Sequence, residues 1–467
     1  MSTTLHWNTV LMELGRRDHS PGYGGGAQTG PTRASRAMAM THLAIYNAVA
    51  SVVQPSAVYK GVKNDIAVPL PTKGSPLSHV IDGAAHAMLT YLYPRQAKYI
   101  DYSLSTPSTS DGFKEGALIA ASIIEARMKD GSDAPNPPAR PSDVQGAYAK
   151  HRTDPFEPGQ PELGKAWGNV VRFCAEQAVT IDPYPGHGEA SLLSNQKYKD
   201  DYLEVLEKGS LRSATRTPDE TAIGLYWGYD GAAHLGVPPR LYNEIAREII
   251  AGLADKNRLP STTEGFELEV ARVLAALNCA MADAGIDAWQ AKYDNDLWRP
   301  VVGIRSEGTG DPFWAPLGAP QTNRPGVGPR TPPFPAYPSG HATFGAASFQ
   351  VLARWLGSEI TVQQVLDEEN SVLDIADQHF SFVSDELDGV AVDADGSVRQ
   401  RLPRSYKSFA RAVFENSISR VFLGVHWRFD GIPRQASENV GGVPMGLKIG
   451  NQAHDFFLGL KSEQAKS

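Results

Sequence analysis

Apolar residues along this chain recur almost everywhere at spacings of three and four. Leu5, Trp7, Val10, Leu11 and Leu14 predict a short amphipathic helix over 5–17. Met38, Met40, Leu43, Ala44, Tyr46 and Val49 predict a longer one over 35–53. The same period predicts helices at about 78–94, 112–129, 163–179, 197–208, 217–229, 239–255, 263–292, 339–356, 361–370 and 406–424, with helix again from His426 onward. Strand signal is confined to 389–392 and 397–400, flanking Asp393-Ala394-Asp395-Gly396 in a hairpin pattern. The expected fold class is therefore mainly α, with long ordered loops and at most a small β-hairpin.

Three stretches interrupt the periodicity. The glycine-rich 22–30 is read as a turn, because no Lys-Ser/Thr follows and no strand precedes it, as a phosphate loop would require. The proline-rich 132–161 is either a linker or an ordered surface excursion. The proline-rich 300–338 has no convincing period; long irregular segments in compact domains tend to be functional, so this one is expected to be ordered and to cover a site. Asp393 to Gly396 lacks the closing Glu of a calcium loop and is read as a turn.

At 467 residues, 41% hydrophobic and 21% charged, the chain is long enough to bury a large core. Its net charge of −8 argues against nonspecific nucleic-acid binding. Cys174 and Cys279 are the only cysteines, too few for a disulfide framework or a cysteine metal site, so buried free thiols are expected. No stretch of about 18 apolar residues predicts a membrane span. The first residues lack an apolar signal core, which predicts a cytoplasmic protein or one exported by a non-Sec route. The oligomeric state is left open.

Chemistry gathers in three places. Around Pro333-Phe334-Pro335-Ala336-Tyr337-Pro338-Ser339-Gly340-His341, extended chain turns into a helix with Ser339 as N-cap. The first turn of such a helix offers unpaired N–H groups, Gly340's among them, and a partial positive charge that attract an oxyanion. In Trp289 to Pro300, Lys292 and Arg299 are seven apart, which on a continuous helix places both on one face. Pro300 marks Arg299 as a helix end. In Ser419 to Asp430, Gly424 suits a helix end, and His426 and Asp430 are four apart, so the carboxylate is able to orient the imidazole. Each reads blandly alone, as a capped helix, a solvated basic pair and a core histidine. Together they supply three cations, a hydroxyl, a backbone donor and two imidazoles, a set suited to a tetrahedral or trigonal-bipyramidal oxyanion.

The pattern Lys-x6-Arg-Pro, Pro-Ser-Gly-His, Ser-Arg-x5-His-x3-Asp resembles the signature of the type 2 phosphatidic-acid-phosphatase superfamily, which includes bacterial acid phosphatases and vanadium-dependent haloperoxidases. Segments 30–48, 225–243, 332–345 and 418–430 resemble the fungal vanadium chloroperoxidases in particular. That resemblance implies two four-helix bundles, here 1–210 and 211–467 as one interlocked unit, with the site in the second. It implies a vanadate cofactor, bonded through vanadium to His426 and hydrogen-bonded by Lys292, Arg299, Ser339, Gly340 and Arg420. His341 would serve as acid–base residue, with His426 and Lys292 the other catalytic groups. Asp230 would pair with Arg420, and Trp289 and Phe334 would line a halide pocket; brominating relatives carry histidine at the position of Phe334. The implied activity is oxidation of chloride or bromide by hydrogen peroxide to hypohalous acid, which halogenates a small organic acceptor. The alternative is an acid phosphatase that forms a phosphohistidine at His426.

Overall fold

The structure is a computed structural model that describes residues 2–459 apart from 64, 137, 139–147, 308–309 and 329. Part of the proline-rich 132–161 stretch thus lies outside the described residues. Helix dominates, with one two-stranded sheet among the described residues. Thr3–Asp18, Pro31–Val53, Leu77–Leu92 and Asp111–Arg127 form one four-helix bundle. Thr263–Asn295, Gly340–Trp355, Phe409–Phe422 and Gly442–Leu458 form a second.

Pro31–Val53 and Thr263–Asn295 pack along each other and join the two bundles into one apolar core. Small residues permit this: Gly285 has Phe344 and the Ser35 hydroxyl at 3.3 Å from where a Cβ would sit. The junction also buries amides. Asn8 donates to Asn243 at 3.1 Å, and Asn243 and Asn278 exchange bonds of 2.8 and 3.0 Å. The Asn8 amide also lies 3.0 Å from His42 Nε2. An amide nitrogen only donates, so Nε2 is the acceptor and His42 is held neutral.

Burial pushes the His42 pKa down to about 3, and Arg247 adds to the depression. The unfolded chain takes up that proton near pH 6.5 and the folded one does not, so stability falls as pH drops from about 6.5 toward 3. Denaturant titrations across that range should show a steep acid loss for the wild type and a shallower one for His42→Gln, whose side-chain oxygen still accepts from Asn8. Equal slopes would show that His42 contributes nothing to the acid sensitivity.

Most predicted helices stand within a few residues of their expected bounds. The exceptions have local causes. Over 163–179 there is only the short 3-10 turn Trp167–Asn169. Trp167, Val170, Phe173 and Cys174 are buried, but in that turn and the irregular chain after it, packed on Thr263–Asn295. Carboxylates of that helix satisfy the backbone: Asp283 accepts from the N–H of Phe173 and Cys174 at 2.6 and 2.8 Å, and Asp287 from Val179 at 2.8 Å. Side-chain acceptors thus replace the helix's own carbonyls.

The expected hairpin at 389–400 is reduced to one bridge, Val392 to Val398. The sheet itself pairs Phe380–Val383 with Pro403–Tyr406, antiparallel, outside that turn. Helix from His426 onward is broken into Arg428–Gly431 and Gly442–Leu458. The 300–338 segment opens with a short helix, Pro300–Ser306, before its irregular part. Both cysteines are free and buried, but Cys174 lies in a bend rather than a helix. No described helix is long and apolar enough to cross a membrane.

Candidate active site

The long helix Thr263–Asn295 ends beside the proline-rich loop. Asp296 adopts a left-handed conformation (φ 55°) and its N–H closes the last turn on the Lys292 carbonyl. The chain then turns, so Arg299 is not on the helix of Lys292. It is the N-cap residue of Pro300–Ser306, with Pro300 at the first helical position. The one-face geometry expected for Lys292 and Arg299 is therefore wrong, and they meet because the chain doubles back.

Lys292 is fully buried behind the cavity wall. Its ammonium donates to the carbonyls of Pro335 at 2.8 Å, Ala336 at 3.0 Å and Pro338. Burial, then Arg299, pull its pKa well down, with Asp430 opposing. Three carbonyl acceptors call for three N–H groups, so this geometry holds the charged form. Contact between Lys292 and an anion requires one of those carbonyls to be released.

Arg299 adds to the anchoring of the loop, donating from Nε to the Phe334 carbonyl at 2.9 Å. The Ala336 N–H bonds to the Leu297 carbonyl at 2.9 Å and the Ser339 N–H to that of Asp430 at 2.7 Å. The loop that delivers Ser339 is thereby fixed to two other segments. Ser339 caps Gly340–Trp355, accepting from the Ala342 N–H at 3.4 Å and keeping its own O–H as a donor. A Cβ on Gly340 would meet the Trp289 ring at 3.0 Å, so that first-turn amide stays uncovered only with glycine there.

Phe409–Phe422 brings Arg420 in its last turn, and Gly424 turns the chain with φ +70°. His426 follows outside any helix, so its relation to Asp430 is a turn contact rather than a shared helical face. His426 Nδ1 is 2.8 Å from Asp430 Oδ2, which also accepts the Trp427 N–H at 3.0 Å. His426 Nε2 is 2.9 Å from Arg299 Nη1. A guanidinium only donates, so Nε2 carries the lone pair and Nδ1 the proton, and the Asp430 carboxylate is the acceptor. Burial, then Arg299 and Lys292, hold His426 well below the ordinary histidine range. Burial raises the Asp430 carboxyl to about 8, against the pull of Lys292 and Arg299.

His341, in the first turn after Ser339, lies 2.6 Å through Nε2 from the Gly228 carbonyl. A carbonyl only accepts, so Nε2 bears hydrogen and a neutral ring keeps its lone pair on Nδ1. Burial, then Arg420, keep this imidazole well below its usual pKa. Asp230 accepts from Arg420 Nη2 at 2.8 and 3.0 Å and lies 4.0 Å from His341 Nε2.

Gly340, His341, Arg420 and His426 form the floor of a cavity of about 690 Å³, with Trp289 and Phe334 in its wall. Those two rings are 4.8 Å apart. Arg299, Ser339 and Asp430 stand just behind that floor. Arg299 Nη2 and Arg420 Nε and Nη1 are buried without acceptors. Buried guanidinium nitrogens without partners are costly, and a multiply charged oxyanion is the group that satisfies them. The floor also carries imidazole lone pairs suited to a metal, that of His426 Nε2 lying beside Arg299. No group of three or more His, Cys, Asp and Glu among the described residues is arranged for a metal ion. The residues fit vanadate, an oxyanion of a metal, better than a bare cation.

Known proteins give the family. A family model described as the vanadium chloroperoxidase N-terminal domain matches residues 2–133, and one described as the VCPO second helical-bundle domain matches 272–461. The vanadium chloroperoxidase of Curvularia inaequalis is 31% identical over 488 residues, covering 91% of this chain and 78% of that protein. The chain belongs to the vanadium chloroperoxidase family. Solved structures share the family's fold. A bacterial vanadium-dependent iodoperoxidase superposes with TM-score 0.68 at 20% identity, over 97% of this chain and 96% of its own. A holo-type bacterial vanadium-dependent chloroperoxidase does so with TM-score 0.62 at 16% identity, over 94% of each chain.

Several cavity features escaped sequence reasoning. The Gly228 carbonyl left no side-chain signal. Glu386 holds the segment that carries it: its carboxylate accepts from the Tyr229 N–H at 2.9 Å, from Arg399 at 2.7 Å and from the Thr322 hydroxyl. The glycine-rich 22–30 lines the cavity mouth, wrapped around Asp18, which accepts from the N–H groups of Ala27 and Gln28 at 3.0 and 2.8 Å.

Proposed function

We propose that this chain is a vanadate-dependent haloperoxidase that oxidises chloride or bromide with hydrogen peroxide to hypohalous acid. The observation that carries it is the set of acceptorless guanidinium nitrogens of Arg299 and Arg420 beside the His426 lone pair. His426 Nε2 would be the protein ligand of vanadate; Arg299, Arg420, Ser339 and the Gly340 N–H would hold its oxygens. Lys292 would join them by exchanging a loop carbonyl, and otherwise keeps the loop in place.

When bound, vanadate supplies an oxidised, electron-poor centre that makes hydrogen peroxide electrophilic toward halide. The protein's share is to hold and move protons. Asp430 keeps the His426 proton on Nδ1, so Nε2 holds a lone pair, which accepts from Arg299 Nη1 and would be released to vanadate. His341, neutral and tied to Gly228 through Nε2–H, has Nδ1 free to take a proton from peroxide, hold it and give it back. Arg420 is steered by Asp230 so that its remaining N–H groups face the floor.

The phosphatase reading uses the same atoms, with His426 Nε2 as nucleophile. The cavity is roomy enough for a phosphoester, so its volume does not separate the two. Membership of a family whose named relatives are haloperoxidases favours the first. The deciding measurement is uptake of one vanadium per chain together with peroxide- and vanadate-dependent halogenation of monochlorodimedone. Rapid hydrolysis of p-nitrophenyl phosphate without halogenation would favour the second.

Halide choice rests on Phe334. Its ring lies 4.8 Å from the Arg299 guanidinium carbon and 5.0 Å from Lys292 Nζ. An apolar wall there lowers the local dielectric and strengthens the field of both cations on peroxide and halide. Chloride is harder to oxidise than bromide and depends more on that field. Phe334→His keeps the backbone carbonyl that Arg299 needs but brings polarity into the wall. Its chlorination rate should fall more than its bromination rate. Parallel loss of both, with lower melting temperature, would make Phe334 a packing residue only; a wild type that never oxidises chloride would overturn the assignment.

A further inference from the structure

The cavity is far larger than a halide and a peroxide need. About 690 Å³ lies within the range of sites that enclose small organic molecules. Its inner wall is aromatic and aliphatic, with Leu163, Trp289, Phe334 and Phe344. Its mouth is edged by the 22–30 loop, Gln321, Arg324 and Arg330.

The charges at that mouth do not cancel. Asp18 is turned onto the Ala27 and Gln28 amides. His19 lies 2.9 Å through Nδ1 from the Gly15 carbonyl and accepts the Gly30 N–H at Nε2, which makes it neutral. Burial depresses its pKa as well. Arg330 pairs with Glu157 at 3.1 Å. Arg324 has no carboxylate partner among the described residues. The one hydrogen bond of its guanidinium among the described residues is a long 3.4 Å contact to the Gly231 carbonyl, next to Asp230. A half-buried guanidinium is thus left to face the cavity above an apolar wall, in a chain whose overall charge is −8.

We propose that this outer chamber is the binding site of the organic acceptor, and that the acceptor is an electron-rich aromatic carrying a carboxylate, its ring on the aromatic wall and its anion on Arg324. This rests on the haloperoxidase reading for the chemistry but not for the binding. Hypohalous acid formed at the floor would meet the ring before reaching solvent. The ring carbon takes the halogen and gives up its proton, and hydroxide leaves as water.

The test is a fluorescence titration of wild type, Arg324→Gln and Arg324→Lys with 6-hydroxy-2-naphthoate and with 2-naphthol, each with and without saturating vanadate. A charge-assisted bond predicts about tenfold weaker naphthoate binding in Arg324→Gln. Arg324→Lys should keep most of the affinity, and 2-naphthol should bind all three alike. Equal naphthoate affinity in wild type and Arg324→Gln, or no naphthoate binding to wild type, overturns the proposal. So does displacement of naphthoate by vanadate, which would place the carboxylate on Arg299 and Arg420 instead. Failure of vanadate to bind at all would sink the haloperoxidase reading while leaving the Arg324 comparison readable.

Discussion

His426→Ala should abolish stable vanadate binding while leaving the fold intact. The imidazole is 3% exposed and bonded at both nitrogens, to Asp430 and to Arg299. Removing it takes away the imidazole lone pair beside the acceptorless guanidinium nitrogens of Arg299 and Arg420. The cations remain, so a weak, purely electrostatic affinity for any tetrahedral anion should persist, equal for phosphate and vanadate. The wild type should prefer vanadate strongly, because a coordinate bond adds to charge pairing. Titrations with both anions, monitored by calorimetry, read that difference directly. Full vanadate affinity in the variant would show that His426 is not the ligand.

The loss would not be local to one bond. Arg299 Nη1 loses an acceptor and Asp430 a donor, and both are buried. His426→Gln, which retains an acceptor near Arg299, separates these effects. It should recover stability relative to His426→Ala without recovering vanadate selectivity. Stability lost and regained with selectivity unchanged throughout would mean that the imidazole serves packing alone.

Much of the floor was legible because its residues sit in short, ordered motifs with fixed local geometry. Ser339 before a helical run predicts an N-cap, and it is one. Gly424 after Phe409–Phe422 predicts a helix end, and its left-handed φ shows why glycine is there. What periodicity does not carry is the path between elements. Lys292 and Arg299 converge because the helix stops at Asn295 and the chain turns back. The seven-residue spacing put the two together by the wrong geometry. The stretch 163–179 shows the same limit from the other side. Apolar spacing marked the stretch as packed against the core, but not that Asp283 and Asp287 would take over the backbone donors of Phe173, Cys174 and Val179. Contacts made by carbonyls, such as Gly228 to His341, leave no trace in side-chain pattern. Arg324 lay in a segment without period, where no rule gave it a direction.

His341→Ala, by contrast, should still take up vanadate and lose most turnover. Of the floor residues, His341 is the one whose proton-bearing nitrogen faces away, toward Gly228, and whose basic nitrogen is not claimed by Asp430 or Arg299. It is bonded to a neutral carbonyl rather than to a carboxylate, with Asp230 4.0 Å off, so nothing nearby stabilises its charged form strongly. Arg420, Arg299 and Lys292 all oppose protonation. The free imidazole is therefore a base at neutral pH, and a bound anion raises its proton affinity by offsetting those cations. That is the behaviour wanted of a group that accepts a proton and returns it. A positioned acid–base residue typically contributes about 10²–10⁴-fold to rate. Halogenation at saturating vanadate and peroxide should fall by that order in His341→Ala, while vanadate affinity changes far less. The pH profile gives a second reading: the wild-type rate should follow one ionisation that is absent from the variant's residual activity. A loss below tenfold, or complete loss of vanadate binding, would make His341 a structural contact of the anion instead.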